Sequence, residues 1–413
     1  MIDHHPSTID HPLIMRHNSG TTTQLQEALE QARCLLSERR YTEAQAEFER
    51  LIARHSRQSS AEVMPAYLGL ADCWLALGSM EKAASVLRRA ARRWPRNAEI
   101  LSLLARVCAE KGEPRAALLH ARRALQENPH CADALEVMAE VHLRQGKHAE
   151  AIADCLEALR INPQWDTMHD TLAAALVAQN RVEEAITVLH TACDLAPRNP
   201  MRHVKLADLY CRLEKWEQAE KILRAALNTA DDPACIHHAL AELYYSLRDY
   251  ERAIEEGRRS LELNPRNLAV IDLLASAYLQ QSDLDSAIEV IAHAVSLMPL
   301  DPVNRFKLAA LYHQKGDIAR AVQEYQRLVE LHPQEIWAHN ALEALQALDR
   351  YQLHQIFTLA ADNFVFRVKL KREMESTLEE YGFHLTENAL HTLEDMDFDD
   401  PFDYESHGDM RYH

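Results

Sequence analysis

The sequence predicts an all-α protein, a solenoid of stacked helix hairpins, and three columns of residues carry that prediction. Ala71 recurs every 34 residues as Ala105, Ala139, Ala173, Ala207, Ala241, Ala275 and Ala309. Ala83 recurs at the same interval as Ala117, Ala151, Ala185, Ala219, Ala253, Ala287 and Ala321. The third column is proline, at Pro95, Pro129, Pro163, Pro197, Pro265, Pro299 and Pro333, interrupted where Asp231 stands and Pro233 takes over. A fixed period of this length marks a helical repeat array, each unit stacking on the next.

The clearest unit, Met64 to Asn97, reads MPAYLGLADCWLALGSMEKAASVLRRAARRWPRN. It predicts two amphipathic helices, a turn at Gly78 and a stop at Pro95, since proline cannot continue the hydrogen-bond ladder. Two helices approach to roughly 8–10 Å only where the side chains at their crossing are short. Alanine meets that need and has the best helix propensity. Leu70, Trp74 and Leu87 fill the layer around it, as Leu240 and Tyr244 do in a later copy. This spacing of bulky, small, aromatic, small and proline positions resembles the tetratricopeptide repeat. The resemblance implies a right-handed α-solenoid whose first helices line a concave groove, and a role in binding protein segments.

Taken in order, residues 1–23 are polar, rich in His and Thr and aperiodic, which predicts a disordered leader. His4, His5 and His11 there read as part of a plain tail rather than a metal site. The first repeat, from Leu25, carries Ala32, Ala44 and Phe48; Ala44 precedes Ala83 by 39 residues, so five residues around Ser59–Val63 are inserted. Nine repeats then fill 25–335. Residues 336–349 begin like a further first helix, but Glu343 occupies the small position and no second helix follows, so they predict a capping helix.

Residues 350–397 predict a helical C-terminal module with helices at Tyr351–Ala361, Asn363–Tyr381 and Glu387–Met396. Gly382 suits a left-handed stop and Thr386 an N-cap. The run from Asp362 to Leu393 resembles the small helical leader-peptide domains of ribosomal peptide maturation systems. Residues 398–413 form an acidic tail with interspersed Phe and Tyr.

Composition excludes several function classes. The net charge is −18 over 413 residues, and nine acids against one Arg lie from Thr386 onward. Nucleic-acid binders neutralise phosphates with cations, so no nucleic-acid partner is expected. No apolar run is long enough to cross a membrane, and no secretory signal opens the chain, so a cytoplasmic protein is expected. The eight Cys form no C-x-x-C pair and read as reduced thiols in helical layers. No H-E-x-x-H, phosphate loop, G-x-S-x-G or dinucleotide fingerprint is present, so neither enzyme activity nor a cofactor is expected. His169, His203, His237 and His339 share one repeat position. Neighbouring helices at roughly 8–10 Å hold them too far apart to share a zinc, so they read as packing residues.

By the family resemblance, first-helix residues opposite the packing stripe line the groove. Those places hold ten acids, Asp72, Glu99, Glu110, Asp133, Glu136, Glu140, Asp170, Asp208, Glu242 and Asp272, against the bases Arg33, Arg106, Arg144 and Arg212. Toward the last repeats the lining becomes aromatic and polar, with Tyr245, Gln280, Phe306 and His313. The residues assigned to partner binding are Asp72, Glu136, Glu140, Asp170, Asp208, Glu242, Tyr245, Asp272, Phe306 and His313. The expected function is a non-catalytic scaffold or adaptor that takes a protein or peptide segment of basic character. Alternatives are an accessory factor in ribosomal peptide maturation and a regulatory subunit of a separately encoded enzyme. The Lys-Asn-Asn-Lys-Arg pattern of arrays that clamp chaperone tails is missing, which disfavours that role.

Overall fold

The computed structural model describes residues 13–55 and 61–396, with side chains from Gln24 onward. The chain divides into two compact units, Met1–Ala196 and Pro197–His413. The first unit holds five hairpins. They are α1 (Leu13–Ser37) with α2 (Tyr41–Arg54), α3 (Met64–Ala76) with α4 (Met80–Arg93), and α5 (Ala98–Glu110) with α6 (Pro114–Glu127). Then come α7 (Ala132–Arg144) with α8 (His148–Ile161) and α9 (Asp166–Ala178) with α10 (Val182–Leu195). The second unit holds four more: α11 (Pro200–Arg212) with α12 (Trp216–Ala226) and α13 (Pro233–Ser246) with α14 (Tyr250–Leu263). Next are α15 (Leu268–Gln280) with α16 (Leu284–Leu297) and α17 (Pro302–Lys315) with α18 (Ile318–Leu331). It ends with α19 (Ile336–Asp362), α20 (Phe364–Arg372), α21 (Met374–Glu380) and α22 (Glu387–Glu394).

Every alanine of both columns is buried, as the close helix crossings require. Between the two helices of each hairpin, one residue turns left-handed: Arg39, Gly78, Gly112, Gly146, Asn180, Glu214, Arg248, Ser282 and Gly316. The next residue starts the second helix. In the last three hairpins it is Asp249, Asp283 or Asp317, whose carboxylate accepts a backbone N–H and so caps the helix. The inserted stretch between the first two repeats includes a short 3₁₀ turn, Ala61–Val63, that buries Val63. First helices of consecutive hairpins lie side by side where α1 meets α3, α5 meets α7, α7 meets α9, α11 meets α13 and α13 meets α15.

Three boundaries differ from expectation. The first helix starts at Leu13, inside the stretch read as a leader. Only Gly20, and no proline, stands between Leu13 and Leu25 to oppose a helix. Residues 1–12, with the three histidines, and the acidic tail lie outside the described residues. The capping helix and the first module helix are one continuous helix, α19, because neither Gly nor Pro interrupts 336–362. Its Ala341 and Leu345 pack on the last hairpin, while Glu343 stays exposed. The helix expected over Asn363–Tyr381 breaks at Glu373, which brings Leu378 into one cluster with Phe366 and Leu370.

The module is fastened to α19 by two side chains. Gln352 Nε2 donates to the His384 carbonyl at 2.8 Å and its Oε1 accepts from the His384 N–H at 2.7 Å. Asp349 accepts from the Thr386 N–H at 3.0 Å and from its hydroxyl at 2.6 Å. The buried Asp349 and Gln352 thereby satisfy the backbone of the loop leading into α22.

Candidate functional site

The ten residues assigned to partner binding fall on three positions of the first helices, spaced i, i+4 and i+7. That spacing places them on one helix face. Glu136, Asp170, Asp272 and Phe306 occupy the first position, Asp72, Glu140, Asp208 and Glu242 the second, and Tyr245 and His313 the third.

The second unit gathers four of them. Asp208 from α11, Glu242 and Tyr245 from α13 and Asp272 from α15 line one groove of about 520 Å³, floored by Ala207, Ala239 and Leu243. Asp208 is exposed and has no cation partner among the described residues. Glu242 meets His238 at 3.4 Å, and Asp272 accepts from Lys307 Nζ at 2.6 Å. The Tyr245 ring stands edge-on to Tyr250 at 5.5 Å. Cys211 also lines the groove, and its thiol is pushed up to about 11 by burial and by the nearby Asp208 and Glu242 carboxylates. Burial is the larger cause, and the two carboxylates add to it.

The first unit treats its acids differently. Arg106 reaches from α5 to Glu136 on α7 at 2.9 Å and to Asp133 at 3.5 Å. Burial raises the Glu136 carboxyl above the usual range, Arg106 opposes the rise, and Glu140 and Asp133 add to it. Asp72 is raised by desolvation and by Glu99, again against Arg106. Glu140 pairs with Arg144 at 3.3 Å. Asp170 lies half-buried on α9, on the same face.

Two of the assigned residues stand apart from the acidic groove. Phe306 packs edge-on to Tyr325 at 5.5 Å and beside Trp337 at 5.4 Å, so its ring is half-buried against α18 and α19. His313 lies exposed at the end of α17.

The histidine column makes separate contacts rather than one site. His169 reaches the Pro163 carbonyl at 3.0 Å, His203 the Asn199 carbonyl at 3.1 Å, His237 the Glu256 carboxylate at 2.6 Å and His339 Glu343 at 3.3 Å. Among the described residues no group of three His, Cys, Asp or Glu is placed to hold a metal ion. All eight cysteines are free thiols.

Sequence reasoning missed two features. One is a position in the second helices, three residues past the alanine column, that carries half-buried or buried acids. Asp154 bonds His142 at 2.6 Å, Glu256 bonds His237, and Glu324 bonds the buried Arg305 at 2.5 Å. The acids at Asp154, Glu256 and Glu324 lie whole repeat lengths apart, and that was the available signal. The other is a cavity of about 630 Å³ in the first unit, where Arg89, Arg92 and Arg93 surround Ile52, Tyr67 and Leu70. Its signal was the run RRAARR of α4.

Among the described residues, no helix is long and apolar enough to cross a membrane. Models of the tetratricopeptide repeat match residues 29–98, 81–127 and 102–164, residues 176–243 and 278–348, and residues 234–267. No curated protein sequence matches the chain. Among solved structures, a tetratricopeptide repeat protein from Parabacteroides merdae is similar at 16% identity and a TM-score of 0.46, over 62% of this chain and 99% of that one. PilF of Pseudomonas aeruginosa is similar at 22% identity and a TM-score of 0.43, over 52% of this chain and 97% of that one. A thermophilic repeat protein from Thermus thermophilus is similar at 29% identity and a TM-score of 0.35, over 44% and 99%. Repeats of this family generally serve as protein–protein interaction scaffolds, the fold is usually non-catalytic, and the matching models describe no enzyme. With helix hairpins at the 34-residue period and repeat models matching most of residues 29–348, the chain belongs to the tetratricopeptide repeat family.

Proposed function

We propose that this protein is a non-catalytic adaptor that binds a basic protein segment, with the groove of Asp208, Glu242, Tyr245 and Asp272 as its main contact. The observation that carries the reading is the convergence of three carboxylates on one groove, one of them without a cation partner among the described residues. The matching carboxylates of the first unit are partly neutralised by Arg106 and Arg144, which makes them the weaker part of the surface. A Lys- or Arg-rich segment gains Coulomb attraction in this groove, and Tyr245 offers an aromatic surface for an apolar side chain. Charge then governs encounter rate and selectivity, while buried apolar contact governs residence time.

The test uses a fluorescein-labelled Lys/Arg-rich peptide carrying one Phe. Binding to the full chain weakens as salt rises, and Asp208→Lys with Glu242→Lys slows association at low salt. Equal binding by the double variant at low salt overturns the proposal. Affinity capture from lysate, compared between wild type and the double variant, then identifies the natural segment.

A further inference from the structure

The cavity of about 630 Å³ in the first unit carries a charge opposite to that of the chain. The buried Ile52 of α2 and Tyr67 and Leu70 of α3 form its floor, and Arg89, Arg92 and Arg93 of α4 stand around them. The helix α4 holds five cations, Lys82, Arg88, Arg89, Arg92 and Arg93, against the single acid Glu81, which pairs with Lys111 at 2.9 Å. The repeat does not require these arginines. Arg93 stands where later copies hold Ile161, Leu195, Leu263, Leu297 and Leu331, and in the next copy Gln126 and Glu127 take the places of Arg92 and Arg93. Arg93 reaches the His55 carbonyl at 3.5 Å and lies over Trp94 at 5.2 Å. Arg89 lies over the Tyr67 ring at 5.0 Å. Arg89 and Arg92 are exposed, and neither has a carboxylate partner among the described residues. Glu49 also lines the cavity, where it accepts from Gln45 at 3.1 Å. Guanidinium groups left without acids beside an apolar floor suit carboxylates, which each planar fork takes in bidentate fashion.

The spacing of the arginines describes the ligand. Residues three apart on a helix hold their Cβ atoms roughly 5–6 Å apart. In an extended peptide, side chains two positions apart share one side at a separation of roughly 6.6 Å. Glutamates at alternate positions therefore match Arg89 and Arg92. We infer that this cavity docks an extended acidic segment of a partner protein, with carboxylates at alternate positions and an apolar side chain next along the same side to cover the floor. A nucleic acid is a poorer match, because it brings many phosphates to a chain of net charge −18, whereas two or three carboxylates need only the local excess on α4. The cavity belongs to the first unit and the groove of Asp208, Glu242 and Asp272 to the second, so the inference does not rest on the reading of that groove. An adaptor built in this way takes segments of opposite charge at separate places.

The test follows the fluorescence anisotropy of a labelled peptide, Glu-Ala-Glu-Ala-Leu repeated twice, as the full chain is added at low salt. The expected result is saturable binding that weakens as salt rises. Arg89→Glu with Arg92→Glu should weaken it about tenfold, a loss of roughly 1.4 kcal/mol, with unchanged circular dichroism because both side chains are exposed. Arg89→Gln with Arg92→Gln, which adds no charge, should lose less in the same direction. Arg122→Glu with Arg123→Glu makes the same change of charge on α6 and should leave binding nearly unaltered. Absence of binding to the wild type, equal binding by the Arg89→Glu, Arg92→Glu variant, or an equal loss on α6 overturns the inference. So does equal binding of a peptide with Gln in place of Glu, or tighter binding of an oligothymidine of the same charge. A wild-type dimer in sedimentation that the Arg89→Glu, Arg92→Glu variant cannot form also overturns it, since a second copy then fills the cavity.

Discussion

The ring of the buried Phe48 occupies the space that a side chain on Gly69 would need. A Cβ built on Gly69 falls 2.7 Å from Cε2 and 2.8 Å from Cε1 of that ring, and closer still to Cζ. Phe48 belongs to the first repeat and Gly69 to the second, so this contact joins the two across the inserted residues.

Gly69→Ala is therefore expected to destabilise, although Ala improves helix propensity by about 1 kcal/mol. Overpacking costs roughly 1–3 kcal/mol, and the buried ring has little room to yield. Urea denaturation should show a net loss, recovered when Phe48→Leu accompanies the change. A more stable single variant would mean that the ring moves aside easily.

The turn at Glu214–Lys215 has a left-handed residue with a side chain and a second helix without a side-chain cap. The equivalent turn at Gly316–Asp317 has both a glycine and a capping aspartate. Left-handed backbone costs a residue with a Cβ roughly 1–2 kcal/mol, and an N-cap contributes about 1 kcal/mol. Glu214→Gly with Lys215→Asp should raise the melting temperature and slow hydrogen exchange in α11 and α12 above all. No change in either measurement would show that this turn is not a weak point.

Glu220, Arg224 and Tyr244 form a closed triangle. The Tyr244 hydroxyl donates to Glu220 at 2.7 Å, and Arg224 donates to the hydroxyl at 2.7 Å and to Glu220 at 2.8 Å. The Tyr244 hydroxyl, then Arg224, hold the Glu220 carboxyl below the usual glutamate range. Its folded form binds fewer protons than the unfolded chain, so its contribution is complete above the ordinary value near 4.3. The contribution is lost as pH falls through the lowered one. Glu220→Gln should flatten this part of the acid limb in a stability–pH profile, and an unaltered limb would exclude the triangle as its source. Tyr244→Phe should cost about 1–2 kcal/mol by leaving charged groups without their bridge.

Thiol labelling should follow burial. Burial first, with a neighbouring carboxylate, pushes Cys155 up to about 12 and Cys73 to about 11, whereas Cys34 is exposed. The thiolate is the reactive species, so at pH 8 a chromogenic disulfide should modify Cys34 within its mixing phase and reach Cys73 and Cys155 only through local opening. Early labelling of Cys155 would contradict its packing. Cys211, in the acidic groove, should become slower still when the basic peptide is bound.

Much of the fold was legible because the repeat reads one physical constraint nine times. Ala71 and Ala83 are small where helices cross, and their equivalents all sit in the core. The face of the site was legible for the same reason, since period and helix geometry place Asp208, Glu242 and Asp272 together. Its charge balance was not. Arg106 finds Glu136 30 residues away on the first helix of the next hairpin, and Lys307 finds Asp272 35 residues back. Side-chain reach, not spacing, decides which acids keep their field. Phe306 illustrates the same limit, as its position marks the open face while its ring turns toward Tyr325 and Trp337.

The 27 residues of α19 span about 40 Å at 1.5 Å per residue. One end is packed into the last hairpin and the other into the C-terminal module, with Asp349 and Gln352 fixed at the middle. Such a helix works as a caliper: it sets a constant gap between the surface presented by α17 and that presented by α20. Both ends are therefore held in one fixed rotational register about the helix axis. Inserting one residue near Arg350 would rotate one end by about 100° relative to the other, leaving each cluster intact while turning the module against the last hairpin.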